Sequence, residues 1–200
     1  MPSKRKIIIL ASSSVQRRKI FRSAKINFRV VPSGVKEKLS SKYKISFLVK
    51  YNAFLKAKEV SKKLKQGLVL GLDTLVLFKK EIIGKIFSFK EAKDLLKKIN
   101  GKRLEVYTGL CLMDAKTQRY IADYDKTIVY VRKFPLEKIN RYLRYLGPFD
   151  KAGGFSIEGA GAILFDEIRG SYFNILGLPL RKLAILLERI GEDIFDYIKR

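Results

Sequence analysis

An aspartate interrupts the most apolar segment of the sequence and is the first residue that suggests chemistry. Asp73 lies within Leu68–Phe78, where most neighbours are aliphatic. Because an isolated carboxylate in an apolar environment is costly, it needs a partner, a ligand or an exposed strand end. Two roles remain open. Asp73 either caps a turn, or it faces a cleft where it holds a divalent cation and orients or deprotonates water.

The second candidate carboxylate, Glu37, stands almost alone among basic residues. Residues 1–70 contain 19 lysines and arginines, but Glu37 and Glu59 are their only acidic residues. Glu37 could neutralise surface charge or act as a second metal ligand. The imbalance favours an anionic partner, such as nucleic acid, an anionic membrane surface or a nucleoside triphosphate. A lysine-rich proteome would give the same bias, with most of these lysines simply solvated.

Several cations and hydroxyls lie where a phosphate could bind. Arg17 and Arg18 follow the hydroxyl run Ser12–Ser14 at a predicted helix start, where free N–H groups and the helix dipole favour an anion. Lys56 borders the apolar stripe of a predicted helix, and Lys85 follows a predicted hairpin turn. A solvated helix face or hairpin would explain the arginine pair and Lys85 equally well. Together, two carboxylates and several cations are the minimum for metal-assisted attack of water on a phosphoanhydride.

The composition excludes several catalytic strategies. The sequence has no histidine, which rules out histidine triads and histidine-ligated zinc, and its single cysteine, Cys111, cannot form an intrachain disulfide. Neither a signal peptide nor an apolar stretch of the roughly 20 residues that span a bilayer is apparent. We therefore expect a soluble cytoplasmic protein.

The segments around these residues predict a single α/β domain over residues 1–200, with a mixed sheet. Strands are predicted at 6–11, 28–31, 68–78, 103–113, 120–131 and 162–168. Helices are predicted from about 15, over 46–65, from a capping box at Ser88 to 100, from Pro135, over 180–190 and from 192 onward, with a loop at 170–174. No internal repeat or interdomain linker is apparent.

Aromatic residues interleave with basic ones near the predicted 46–65 helix. Tyr43, Phe47, Tyr51 and Phe54 could contact nucleic acid, in which case the chain would be a non-enzymatic binding module. Their spacing is more typical of a helix core. Nucleic acid is therefore not the expected partner.

The order of these features resembles the Maf family of nucleoside triphosphate pyrophosphatases, from about Ile8 to Leu186. Several ordered motifs carry the resemblance. They are Leu10–Phe21 with its arginine pair, Glu37, Ala53–Ala57, Gly71–Thr74, Gly84–Lys85, Tyr107–Gly109, Asp150–Phe155, Gly170–Asn174 and Gly177–Leu180.

The resemblance implies an elongated mixed β-sheet flanked by helices, with two lobes around a nucleotide cleft, similar to inosine triphosphate pyrophosphatases. It implies hydrolysis between the α and β phosphates, with Mg²⁺ or Mn²⁺ as cofactor, and a homodimer as one expected assembly, since members of the family are often dimeric. The catalytic residues it implies are Asp73, Glu37, Lys56 and Lys85, of which Asp73 and Glu37 also bind the metal and the two lysines contact the triphosphate. The substrate-binding residues it implies are Ser12, Ser14, Arg17 and Arg18.

Base specificity in the family is tied to positions that are Gln16, Thr74 and Glu158 here. The dTTP/UTP branch usually has Arg and Gln at the outer two positions, and the 7-methyl-GTP branch has an aromatic residue and Glu. This chain has neither pair. An ionised Glu158 only accepts hydrogen bonds, which suits a guanine edge, whereas Gly170–Asn174 looks more like the dTTP/UTP branch, and we predict that specificity.

The chain also departs from the family pattern at Val15, Ile86 and Leu104, which replace two usual prolines and a common histidine. These departures affect loop geometry and leave the candidate catalytic groups in place. A division-regulatory protein that binds nucleotide without turnover is a further alternative.

Overall fold

A mixed seven-stranded sheet forms the centre of the molecule, as seen in a computed structural model that describes residues 7–40, 42–84, 86–146 and 154–199. The strands are β1 (Ile8–Leu10), β2 (Phe28–Val30), β3 (Leu68–Phe78), β4 (Glu81–Ile83), β5 (Arg103–Asp114), β6 (Tyr120–Val131) and β7 (Phe165–Arg169). The helices are α1 (Val15–Ser23), α2 (Ile45–Ser61), α3 (Phe89–Ile99), α4 (Ile139–Leu146), α5 (Tyr172–Ile175) and α6 (Leu180–Arg189). The predicted α/β fold is confirmed.

Strand β3 is central, as its largely apolar sequence predicts. The strand order is β2-β1-β3-β5-β6-β7, and β4 forms a hairpin with the end of β3. Strand β1 runs parallel to both β2 and β3, whereas the other pairs are antiparallel. Both faces of β3 are covered, so nearly all of its side chains are buried.

Helix α2 covers one face of the sheet at very close range. A Cβ on Gly71 would lie 2.0 Å from the Ala53 carbonyl oxygen, and one on Gly109 would lie 2.2 Å from the Val49 carbonyl oxygen. Glycine at these two strand positions therefore lets the helix backbone rest directly on β3 and β5. The close contact brings the inner side chains of α2 to the middle of β3.

Two separate cores cover the opposite face of the long strands. Helices α1 and α6 pack over the first half of β3, around Leu70 and Leu72. Helices α3 and α4 belong to the second core, around Val76 and Phe78. Because side chains alternate along a strand, Thr74 lies on the same face between the two cores. These cores are the two predicted lobes, and a cleft lies between them.

The structure corrects some predicted boundaries. The predicted 162–168 strand begins only at Phe165, because Gly159–Leu164 form a 3-10 segment that starts from the left-handed Gly159 (φ 61°). The predicted 170–174 loop runs into the short helix α5. The helix predicted from Pro135 begins as a 3-10 turn, Leu136–Lys138, and the final segment is a 3-10 turn, Ile194–Tyr197. The predicted cap at Ser88 is confirmed, since its hydroxyl accepts the Glu91 N–H.

Lys56 is 8% exposed and reaches the cleft, in line with its predicted position at the edge of the apolar stripe of α2. The prediction that Tyr43 and Phe47 belong to a helix core is wrong, because they are 58% and 48% exposed. Within the described ranges, no helix is both long enough and apolar enough to span a membrane.

Candidate active site

The edge of β3 that receives β1 is open at the middle of the strand. Strand β1 pairs with β3 only as far as Leu70, and β4 pairs with it only from Val76 onward. In the gap, the Leu72 carbonyl accepts hydrogen bonds from Arg17 Nη1 and Lys56 Nζ, each at 3.1 Å. Side chains from both faces of the sheet therefore meet at this opening.

Two carboxylates converge on one ammonium group at the opening. Lys56 Nζ lies 2.8 Å from Asp73 Oδ1 and 2.5 Å from Glu37 Oε1. The Asp73 side chain is 2% exposed and that of Lys56 10%, whereas the Glu37 side chain is 47% exposed. The Asp73 charge thus has the buried partner that the sequence required, and Glu37 forms the solvent-facing side of the cluster.

Asn52 is a polar residue of this cluster that sequence reasoning missed. Its amide nitrogen donates to Asp73 Oδ2 at 2.9 Å and to the Lys38 carbonyl at 3.0 Å, and its oxygen accepts the Lys38 N–H at 2.9 Å. The side chain is fully buried. Asn52 therefore ties the loop that carries Glu37 to Asp73. The available signal was its position one helical turn before Lys56.

Arg17 approaches from the other face of the sheet and joins three separate segments. Its Nε donates to the Gly177 carbonyl at 2.8 Å, Nη1 to Ser12 Oγ at 3.0 Å, and Nη2 to Thr74 Oγ1 at 3.1 Å. Burial lowers the pKa of the guanidinium, and the negative charges of Asp73 and Glu37 oppose this effect. Arginine stays charged in such a setting, so a fixed positive charge lies behind the opening.

Arg17→Lys should lower the free energy of unfolding far more than Arg18→Lys. A lysine ammonium cannot reproduce a planar fork with bonds to four acceptors, and each lost charged hydrogen bond costs about 1.5–3 kcal/mol. Arg18, the adjacent control, is half-buried and does not line the cleft. Urea unfolding followed by circular dichroism measures both. Equal losses of stability would show that the Arg17 bonds are not needed for folding.

The hydroxyl-rich turn before α1 forms one wall of the cleft, next to Arg17. Ser14 caps the helix by accepting the Arg17 N–H at 3.4 Å, and Ser12 Oγ accepts the Ser14 N–H at 3.2 Å. Both serines line the cleft, together with Gln16 and Lys19. The N-terminus of α1 therefore faces the cleft with hydroxyls and a positive dipole end, as an anion site requires.

The cleft continues from this wall toward the second core and has a volume of about 1130 Å³. Asp73, Glu37, Lys56 and Thr74 line it near the opening, while Glu158 lies on the far wall. Burial raises the pKa of the Tyr172 hydroxyl, and the negative charge of Glu158 adds to the rise. Other lining residues beyond the opening are mostly apolar: Leu104, Val106, Val129, Phe155, Ile157 and Phe165.

The structure brings most of the predicted residues to this cleft. Thr74 helps to position the residues around the cleft, since its hydroxyl contacts Arg17 Nη2 and Thr108 Oγ1. Thr108 in turn donates to the Asn174 carbonyl at 2.9 Å, which fixes the segment that ends at Gly177. Lys85 and most of the predicted motif at 150–155 lie outside the described residues.

Comparison with known proteins agrees with this arrangement. The sequence profile of Maf-like proteins matches residues 7–190. Similar relatives named dTTP/UTP pyrophosphatase come from Caldicellulosiruptor bescii (38% identity), Ruminiclostridium cellulolyticum (37%) and Methanosarcina mazei (36%). Each comparison covers 94% of this chain and 96–97% of the relative. The chain belongs to the Maf family.

The unusual positions of this Maf protein are accommodated without loss of the polar cluster. Val15 is 57% exposed at the first position of α1. The backbone N–H at this position has no partner within the helix, so valine and proline are both accommodated there. Ile86 is buried in the second core, and Leu104 is buried in the cleft floor. The Maf family prediction is confirmed.

Proposed function

We propose that this Maf protein is a nucleoside triphosphate pyrophosphatase that cuts dTTP and UTP between the α and β phosphates. The observation that carries the proposal is the convergence of Asp73, Glu37, Lys56 and Arg17 at a gap in the sheet that opens into the cleft. The reaction and the bases follow from the relatives named dTTP/UTP pyrophosphatase. We further propose that the protein acts in the cytoplasm as one domain over residues 1–200.

The triphosphate is proposed to lie along the wall formed by the turn before α1. The dipole of α1 and the hydroxyls of Ser12 and Ser14 suit phosphate oxygens there. Arg17 and Lys56 place two buried positive charges behind the same opening. These charges offset the negative charge that develops on the departing pyrophosphate. Lys85 is proposed to contribute a third charge from the segment that follows Gly84, which lines the cleft.

The donor set fits a small divalent cation. Glu37 Oε1 and Asp73 Oδ1 lie 2.5 and 2.8 Å from the same Lys56 nitrogen, so the two carboxylates are close enough for their remaining lone pairs to bind one ion beside the ammonium. Described residues form no cluster of three acidic, histidine or cysteine ligands. Mg²⁺ and Mn²⁺ commonly use one or two carboxylates and complete their shell with phosphate oxygens and water. When bound, the ion would screen the triphosphate and acidify a bound water.

Asp73 is proposed to orient the attacking water and accept its proton. Its oxygens are held on both sides, by Lys56 and by Asn52, so the carboxylate cannot rotate away from the opening. The water oxygen bonds to the α-phosphorus while the bond from that phosphorus to the bridging oxygen breaks. The products are a nucleoside monophosphate and pyrophosphate, which leaves with the electron pair of the broken bond.

A panel of nucleotides tests the proposal and its base assignment together. Pyrophosphate release is measured with dTTP, UTP, CTP, GTP, 7-methyl-GTP and ITP, each with Mg²⁺ or Mn²⁺. We expect dTTP and UTP to give the highest kcat/KM. Preference for 7-methyl-GTP would instead indicate that Glu158 recognises the hydrogen-bonding edge of the guanine base, since its carboxylate only accepts hydrogen bonds. Nucleotide binding without turnover of any substrate would contradict the enzymatic proposal and support a regulatory role.

Asn52→Ala should slow pyrophosphate release without abolishing it. The change frees the Glu37 loop and leaves the Asp73 Oδ2 and Lys38 backbone groups without their partner, which costs about 1–3 kcal/mol of folding stability. We expect kcat to fall and the Mg²⁺ concentration at half-maximal activity to rise, since Glu37 loses its fixed position. Asn140→Ala, at an exposed site on α4, is the control. An unchanged Mg²⁺ dependence in Asn52→Ala would contradict this positioning role.

A further inference from the structure

A row of aromatic rings runs along the outer side of α2, facing away from the candidate active site. We call it the aromatic ladder and define it as Tyr43, Phe47, Tyr51, Phe54 and Tyr120. Successive ring centroids lie 5.4, 5.7, 6.4 and 4.7 Å apart. Phe47, Tyr51 and Phe54 form a stripe on α2 at helical spacing, Tyr43 lies just before the helix, and Tyr120 is the first residue of β6.

The ladder is well exposed to solvent. Tyr43, Phe47 and Tyr120 are 58%, 48% and 57% exposed, and Tyr51 and Phe54 are half-buried. The opposite side of the same helix carries the buried Asn52 and Lys56 of the cleft. The ladder is therefore a second surface, separate from the nucleotide site. A row of contacting rings with three exposed members indicates an interaction site.

Lysines surround the ladder and contact its rings. Lys38 Nζ lies 5.1 Å from the Tyr51 ring centroid, and Lys58 Nζ lies 5.4 Å from that of Phe54. Lys50, also on α2, lies with its Nζ 5.8 Å from the ring centroid of Tyr124 on β6. Among the described residues, these three lysines form no ion pair with a carboxylate. The only acidic residue of α2, Glu59, pairs with Lys63.

We propose that the aromatic ladder binds single-stranded nucleic acid. Exposed rings stack with bases of any sequence, and nearby lysines neutralise the phosphates of the same strand. The surface combines both requirements. The net charge of +24 adds long-range attraction for a polyanion. Duplex DNA fits less well, because its bases are stacked inside the helix and cannot stack on the rings.

Charge also decides against a second copy of the chain as the occupant. In a two-fold symmetric dimer each partner presents the same patch, so the lysines around one ladder would face those around the other. Their repulsion would oppose the gain from burying the rings. A polyanionic strand gains from the rings and from the lysines at once.

The test compares ring removal at the ladder with matched ring removal elsewhere. Tyr43→Ser with Phe47→Ser removes one tyrosine and one phenylalanine from the exposed end of the ladder. Tyr145→Ser with Phe195→Ser removes the same pair at distant sites that are 70% and 74% exposed. Fluorescence anisotropy measures binding of labelled 12-mers of single-stranded DNA, single-stranded RNA and duplex DNA across a salt series. Pyrophosphate release is measured on each protein.

The original chain should bind the single strands more tightly than the duplex at every salt concentration. Affinity for single strands should fall at least about tenfold in the ladder variant, the size expected when one or two stacking contacts are lost. The control variant should bind as the original chain does. Pyrophosphate release should be unchanged in both variants, so this proposal and the proposed enzymatic function can fail separately.

Three results would overturn the proposal. Equal binding by the ladder and control variants would show that net charge alone attracts the strand. Equal affinity for duplex and single strands would exclude stacking. A dimer in sedimentation experiments that dissociates only in the ladder variant would identify a second copy of the chain as the occupant.

Discussion

Asp73→Asn is expected to lower the rate of pyrophosphate release by about 10²- to 10⁴-fold, the usual effect of removing a positioned proton-transfer group. The amide has nearly the same shape as the carboxylate, so the packing of a side chain that is only 2% exposed is preserved. It loses the negative charge that orients water and contributes to the metal site. The Arg17 charge and the α1 N-terminus remain, so nucleotide binding should survive.

Asp94→Asn is the matched control, because it makes the same change at an exposed position on α3. Turnover is followed by pyrophosphate release, and binding by titration with a triphosphate whose α–β bridge is a nonhydrolysable imido group. If Asp73→Asn turns over as fast as Asp94→Asn, Asp73 is a structural cap and the proposed mechanism is wrong. If Asp73→Asn instead loses both turnover and nucleotide binding, the main effect of the substitution is on the shape of the cleft.

The sequence was sufficient to identify Asp73 as an anomaly, since an apolar strand with one carboxylate needs a compensating partner. It could not identify Asn52, whose partners lie 14 and 21 residues away in the chain. Its position one helical turn before Lys56 is a signal, but that spacing alone does not distinguish it from a solvated residue. Only the register of α2 on β3 places it against Asp73.

The same register explains why the role of the aromatic residues was predicted wrongly. Helix α2 carries an aromatic stripe and an aliphatic stripe, and periodicity alone cannot decide which of them the sheet covers. The small residues Ala53 and Ala57 favour the aliphatic stripe, because their side chains allow the close approach to Gly71. The aromatic stripe is left on the outside, where Phe47 is 48% exposed, and Tyr43, just before the helix, is 58% exposed.

Lys56→Met is expected to lower both catalysis and folding stability. Removing one partner of a buried ion pair leaves the other charge uncompensated and typically costs about 3–5 kcal/mol. The Asp73 carboxylate would retain Asn52 as a hydrogen-bond donor but lose the ammonium at 2.8 Å. Glu37 is half exposed and contributes less to this loss. Methionine replaces the apolar stem of lysine and lacks only its charged end, so packing changes little.

A double-mutant cycle separates the charge effect from simple disruption of the helix. Adding Asp73→Asn to Lys56→Met removes the uncompensated charge, so the double variant should resist urea better than Lys56→Met alone. Lys97→Met, an exposed position on α3, controls for the loss of one positive charge. If the double variant is instead less stable than Lys56→Met, Asp73 contributes by packing and hydrogen bonding rather than by its charge. In that case the ammonium would serve to hold Glu37 at the cleft rather than to balance Asp73.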